Sequence, residues 1–354
     1  MNPTLSVIVP IYHTHHFIKR CVSSILQSSF KDFEIICVLD GESDPEQQIC
    51  ARIVKRFSQK DSRVRILTVP HAGVEAARFS GIDFSRGKFL VFVDSDDWIE
   101  RRMLEKMMEA HLENTFDYVE VKAFKGVGPF RLSKRRSFSR AHDGLELSAP
   151  QLMDRYYCSF FGVNVLSVSI WGKCYRRELL LRSGVKPTGF HFGEDLFFNL
   201  TLFPFLKAIK ILDYQGYVYR IGGGTSHFMP YFLQDCKKQY LLKRQAIEEH
   251  RFTEGSATVR IEMMNIFKTY LCSVLYWKKP SPSEMIALIE QELSESFWED
   301  VLSPVANLQI MSRPFFDALQ QRNASRIFEE ISKTTQKMFW RWELVRLLSL
   351  TFRN

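Results

Sequence analysis

Phe89–Ile99 reads FLVFVDSDDWI: five apolar residues run straight into three aspartates and a tryptophan. A short, continuous apolar run closed by turn-forming residues is the pattern of a strand buried on both faces. Crowded carboxylates repel one another and lose hydration at a cost, so such a cluster marks a solvated turn, a helix cap or a bound cation. Working outward, comparable runs occur at LSVIVPI (5–11), FEIICVL (33–39), VRILTV (64–69) and KFLVFV (88–93), with amphipathic stretches between them. Phe17, Ile18, Cys21, Val22, Ile25 and Leu26 recur at helical spacing, which predicts a crossover helix with one buried stripe. Strands alternating with such helices predict an α/β protein with an open, mostly parallel sheet and right-handed connections.

In such sheets ligands gather beyond the carboxyl ends of the strands. Four of those ends carry polar groups: Tyr12, then Asp40 and Gly41, then His71 to Gly73, then Asp94 to Asp97. One composite site is expected. A hard divalent ion such as Mg²⁺ or Mn²⁺ takes one or two protein carboxylates and completes its shell with water and phosphates, which an aspartate cluster at a strand end can serve.

Composition narrows the classes. With 45% hydrophobic and 25% charged residues in 354, the chain is globular and large enough for one big domain or two smaller ones. The seven scattered cysteines include no C-x-x-C pair, which argues against a disulfide framework or a zinc knuckle and for a reducing, cytoplasmic setting. The N-terminus opens on a strand rather than a signal peptide, and no apolar run approaches the roughly 18 residues of a membrane span, so a soluble or peripheral protein is expected. The net charge of +8 is compatible with nucleic acid, an anionic membrane or a phosphorylated small molecule.

Strand signals fade after Pro230, where segments such as QYLLKRQAIEEH and MIALIEQELSESFWEDVL read as helices. A domain change is expected there, with 1–229 (itself 1–98 and 99–229) followed by a helical 230–354. RLSKRRSFSR (131–140) holds five basic residues and no acidic one, and reads as a solvated or phosphate-facing loop. The glycine run of YVYRIGGGTSH (217–227) could close over phosphates, and makes His227 a candidate contact to a metal or diphosphate. The last segment, 333–354, has five Lys/Arg, one Glu and two tryptophans. It is expected either to close the core or to lie on an anionic membrane.

The ordered elements SVIVPIYH, LDGESD, HAGVEAARFSG, VDSDDW, WGKCYRREL (171–179) and FGEDLFF (192–198) together resemble the nucleotide-sugar-dependent glycosyltransferases of family 2 over about two thirds of the chain. The resemblance implies the A-type glycosyltransferase fold, a Rossmann-like sheet flanked by helices, and an inverting transfer from a nucleotide sugar, UDP-linked, with Mn²⁺ or Mg²⁺ as cofactor. It implies that Pro10 and Tyr12 flank the uracil base, with the tyrosine ring as a stacking surface, and that Asp40 accepts from uracil N3–H. Arg78 would lie near the nucleotide. Asp94 and Ser95 would bind the nucleotide sugar, Asp94 through the ribose hydroxyls, and Asp96 would hold the metal. Asp195 would be the catalytic base and Glu194 its support, while Trp171 and Lys173 would line the acceptor side. His13, Leu39, His71 and Phe79 depart from the family's usual residues, asparagine at 13, 71 and 79 and aspartate at 39.

The expected substrates are therefore a nucleotide-sugar donor and a glycan or lipid-linked saccharide acceptor of a bacterial surface polysaccharide, met at the inner face of the membrane. A nucleotidyltransferase would carry a glycine-rich phosphate loop after its first strand, and PIYHTHHF has none. A basic nucleic-acid-binding protein leaves the carboxylates unexplained, so no nucleic acid partner is expected. A carbohydrate-binding scaffold without catalysis would show the same cleft and no turnover.

Overall fold

The computed structural model describes residues 2–113, 115–127, 130–132, 144, 146–149, 166–222, 228–249, 255–303 and 313–351. The chain divides into two compact units, with the main boundary after residue 223.

The larger unit is built on one sheet. Strands β1 (Leu5–Ile11), β2 (Phe33–Asp40), β3 (Val64–Val69) and β4 (Phe89–Phe92) are mutually parallel in the order β3-β2-β1-β4. They alternate with helices α1 (Ile18–Leu26), α2 (Pro45–Lys60) and α3 (Val74–Phe84). Every residue of β1 and β2 is buried, as their mostly apolar sequences require, and the buried Ser6 and Glu34 bond each other at 2.7 Å. The stripe on α1 is the one its spacing predicts, with Ile18, Cys21, Val22 and Ile25 fully buried. Helix α3 lies so close to the sheet that a Cβ on Gly81 would stand 2.5 Å from Ile8 Cγ2.

Beyond β4 the sheet changes character. Strand β5 (Trp98–Ile99), helix α4 (Met103–Glu113), β6 (Tyr118–Val127), β7 (Phe130–Leu132) and β8 (Glu146–Ser148) come next, followed by β9 (Lys173–Arg176) with helices α5 (Arg177–Ser183) and α6 (Glu194–Leu202), and then β10 (Ala208–Arg220). Strand β9 is antiparallel to both β4 and β6, β10 runs parallel to β6, and β5 pairs antiparallel with β10. The last pairing places Ile99 against Tyr217 and Trp98 against Val218. It brings a distant strand back beside the aspartate turn.

The smaller unit is helical: α7 (Phe232–Glu249), α8 (Gly255–Lys278), α9 (Pro282–Leu293), α10 (Phe297–Val301), α11 (Arg313–Gln320) and α12 (Ala324–Thr351). Trp298 is fully buried and stacks at a tilt on Phe267, 4.4 Å between centroids. Buried Lys243 pairs with Glu262 at 2.6 Å, and Lys237 with Glu292 at 2.6 Å and Glu295 at 2.8 Å. Helix α9 starts at a capping box, with Ser281 and Glu284 exchanging side-chain bonds around Pro282. The apolar period of MIALIEQELSESFWEDVL suggests one helix, yet the chain breaks between α9 and α10, where the Ser294 hydroxyl bonds back to the Gln291 carbonyl at 2.7 Å.

Candidate active site

The site assembles at the carboxyl ends of β1, β2 and β4. Pro10 is buried in β1 opposite Val38. Tyr12, just past that strand, is 41% exposed at its rim. Its ring stacks on His13 at 3.9 Å and on His71 at 4.4 Å, both within 18° of parallel. Asp40, the last residue of β2, is buried, and one of its oxygens accepts from Ala72 N at 2.8 Å. The other accepts from Gly73 N at 3.0 Å and meets His71 Nδ1 at 3.0 Å. Three of the four departures from the family pattern thus have a structural partner: His13 and His71 cover Tyr12, and Phe79 packs edge-on against Phe198 of α6.

The aspartate turn is held by β10. Tyr217 donates its hydroxyl to Asp97 at 2.7 Å and accepts from Asp94 N at 3.1 Å, while Arg220 N donates to Asp97 at 2.7 Å. Both Asp97 oxygens face β10, so this residue does not cap α4. Continuing the β5–β10 register two residues brings Arg220 opposite Asp96, and their side chains pair at 2.7 Å. The Arg220 guanidinium also lies 3.9 Å over the Phe17 ring. Ser95 is buried and accepts from the Thr14 hydroxyl at 2.9 Å.

Arg78 of α3 joins this turn to the second carboxylate pair. Its buried guanidinium donates to Asp94 at 2.8 Å, to Asp195 at 2.7 Å and to Glu194 at 3.2 Å. Gly193, at φ 84°, turns the chain into α6 and puts Glu194 and Asp195 in its first turn, where the helix dipole favours anions. The second Asp195 oxygen accepts from Ile170 N at 3.1 Å. Lys173 is fully buried, and its ammonium bonds the carbonyls of Ser167 at 2.7 Å and Ser169 at 2.6 Å. Asn199 donates to the carbonyls of Val168, Ser169 and Asp195, which fixes the same segment to α6. Lys173 therefore reaches Asp195 through the 167–170 backbone. Trp171 stacks on Tyr217 at 4.6 Å and Tyr219 at 5.5 Å, with 8% of its surface exposed.

Burial and mutual repulsion shift these acids. Burial, and then the Asp195 charge, push Glu194 up to about 7 against the pull of Arg78. Asp195 is raised by burial, with Arg78 opposing. Burial also raises Asp96, with Arg220 opposing, and places Asp97 well above the carboxylate range. Burial alone would lower Arg78, but Asp195, Asp94 and Glu194 outweigh it and keep the guanidinium charged.

Carboxylates at a strand end are the ligand type a hard cation takes, and here each is paired with an arginine, Asp94 with Arg78 and Asp96 with Arg220. Asp94 and Asp96 offer two carboxylates, 24% and 22% exposed, at one strand end. Among the described residues no group of three or more His, Cys, Asp or Glu forms a cage by itself. His227 lies outside the described residues, as does most of 131–140. Sequence reasoning missed Arg220 and Tyr217; the residue types carried no signal, and only the β5–β10 pairing reveals them.

Residues 6–172 match the model of glycosyl transferase family 2. The chain is 30% identical over 249 residues to the glycosyltransferase EpsJ of Bacillus subtilis (strain 168), covering 69% of each protein. The chain is a family 2 glycosyltransferase. This glycosyltransferase is also 28% identical over 232 residues to glycosyltransferase GlyA of Streptococcus pneumoniae serotype 4, covering 64% of the chain but only 32% of GlyA. Residues 1–349 of S. aureus TarS, solved in complex with UDP, superpose with a TM-score of 0.63 at 18% identity, covering 94% of this chain and 92% of that one. The fold is accordingly the A-type glycosyltransferase fold, with a mostly parallel central sheet and a helical C-terminal region.

Proposed function

We propose that this glycosyltransferase is metal-dependent and inverting, and moves a hexose or N-acetylhexosamine from a UDP-sugar to a glycan or lipid-linked saccharide of a bacterial surface polysaccharide. The observation that carries the reading is the three-way fork of Arg78, which draws the donor-side Asp94 and the base pair Glu194–Asp195 to one point. The UDP complex of TarS and the GDP-mannose and Mn²⁺ complex of the Pyrobaculum calidifontis mannosyltransferase PcManGT support a nucleotide-sugar donor and a divalent ion.

Asp94 would take the ribose hydroxyls, with Ser95 in the same pocket and Pro10 beside the base. Asp96 would hold Mn²⁺ or Mg²⁺, which when bound would offset the charge developing on the leaving diphosphate. Asp195 would remove the proton of the acceptor hydroxyl as that oxygen attacks the anomeric carbon and the bond to the diphosphate breaks. Glu194 and the Ile170 N–H orient it. No covalent sugar-enzyme intermediate is needed, and positioning carries much of the rate. Trp171 would face the acceptor, and Lys173 would act through the segment it anchors. On 1–229 as the catalytic part, 230–354 would serve to place it against the inner face of the cytoplasmic membrane: exposed Lys333, Lys337 and Trp340 recur along one side of α12. Among the described residues no helix is long and apolar enough to cross a membrane.

The deciding experiment is a donor screen with Mn²⁺, reading sugar transfer and donor binding separately. Asp195→Asn should bind donor and lose about 10²- to 10⁴-fold in transfer, whereas Asp96→Ala should weaken Mn²⁺-dependent donor binding. Parental transfer by Asp195→Asn would remove that residue from the role of base.

A further inference from the structure

We propose that His71 is a built-in stand-in for the nucleobase, occupying the base site until the donor displaces it. The inference rests on the uridine reading above and concerns the same pocket. A uracil is expected to use two groups here, the Tyr12 ring and the Asp40 carboxylate. His71 uses both: its imidazole stacks on Tyr12 at 4.4 Å and meets Asp40 through Nδ1 at 3.0 Å.

The geometry puts the imidazole on both groups at once. Two rings nearly parallel to Tyr12 and within 4.4 Å of its centroid can only lie on opposite faces, so His13 and His71 together cover it. The Asp40 oxygen that does not serve Ala72 N is shared by Gly73 N and His71, and Asp40 itself is buried. A base N–H donating to that oxygen would compete with the imidazole that now meets it. Gly41 belongs to the same arrangement, since a Cβ there would lie 3.1 Å from His71 Cβ. His71 is nonetheless able to leave: its side chain is 55% exposed and sits in the loop between β3 and α3. An imidazole that stacks and offers a nitrogen to a carboxylate reproduces the features by which a pyrimidine would be recognised. His13 pairs with Asp44 at 2.8 Å and stays behind as the far side of the stack.

The stand-in competes with donor, so its removal should tighten binding. Titration calorimetry with UDP and Mn²⁺ should give the His71→Ala chain a Kd about tenfold lower than the native one, the worth of one ring stack and one exposed hydrogen bond. In the native chain, the His71 ring-proton NMR signals should lose the ring-current shift of Tyr12 as UDP is added. Equal or weaker UDP binding by His71→Ala, or His71 signals that stay in place while UDP binds natively, overturns the proposal. If neither chain binds UDP, the uridine reading fails and takes this inference with it.

Discussion

At the scale of single residues, Arg78 is the group on which the site turns. A lysine at 78 would keep the charge but could not fork to three carboxylates, so Arg78→Lys should lower kcat about 10²-fold through misplacement of Asp195. Arg78→Ala leaves three partly buried acids without their cation and should destabilise the fold by about 2–3 kcal/mol, below the cost for fully buried charges, read as a fall in Tm. With Asp195 as the proposed base, Glu194, raised to about 7 chiefly by burial, would give transfer a pH dependence. Below that pH Glu194 is protonated and releases its share of Arg78, which then draws on Asp195 and weakens the base. Activity should therefore rise with pH through about 7, and Glu194→Gln should shift that limb in the kcat/KM profile while leaving the one set by Asp195. Glu194 and Asp195 stand out in the sequence because two adjacent acids open an apolar helix. Arg78 is visible as well, but its part in tying two distant motifs is not, since that depends on where α3 lies over the sheet. The interior position of Lys173 is hidden for a related reason: its carbonyl partners come from irregular backbone, which has no period to read.

At the scale of elements, apolar patterning made the parallel half of the molecule legible. Strands β1 and β3 begin and end where their apolar runs do, and the α1 stripe follows its spacing; for β1 and α1 the removal of apolar surface from water accounts for this, since the aliphatic residues of β1 and Ile18, Cys21, Val22 and Ile25 of α1 are fully buried. The antiparallel half is less so. β10 spans thirteen residues, mixes buried and half-exposed positions, and carries irregularities against β6, so its sequence has no clean alternation. Yet that strand delivers Tyr217 and Arg220 to the aspartates. The contact of α3 with β1 offers a test. In Gly81→Ala the new methyl group would meet the Ile8 and Val38 side chains at 2.5 and 3.2 Å, so either Ile8 or the helix must shift. A loss of about 1–3 kcal/mol in urea unfolding is expected, with a matching loss of donor affinity because Arg78 rides on the same helix.

For the whole molecule, the proposed membrane role of the smaller unit can be tested on its surface. Trp340 is 79% exposed on α12, and Lys333 and Lys337 precede it at helical spacing. Replacing all three, Trp340 by alanine and the lysines by glutamate, should reduce co-sedimentation with anionic vesicles while leaving UDP-sugar hydrolysis unchanged. Unaltered co-sedimentation would assign α12 to packing alone. The fork of Arg78 has its own consequence for how a turnover proceeds. Ribose hydroxyls arriving at Asp94 would relieve that arm of the guanidinium, and the proton acceptor on the opposite arm would feel the redistribution before any alcohol is present. Substrates should therefore enter in a fixed order, nucleotide first, so that UDP inhibits competitively against the donor and noncompetitively against the acceptor.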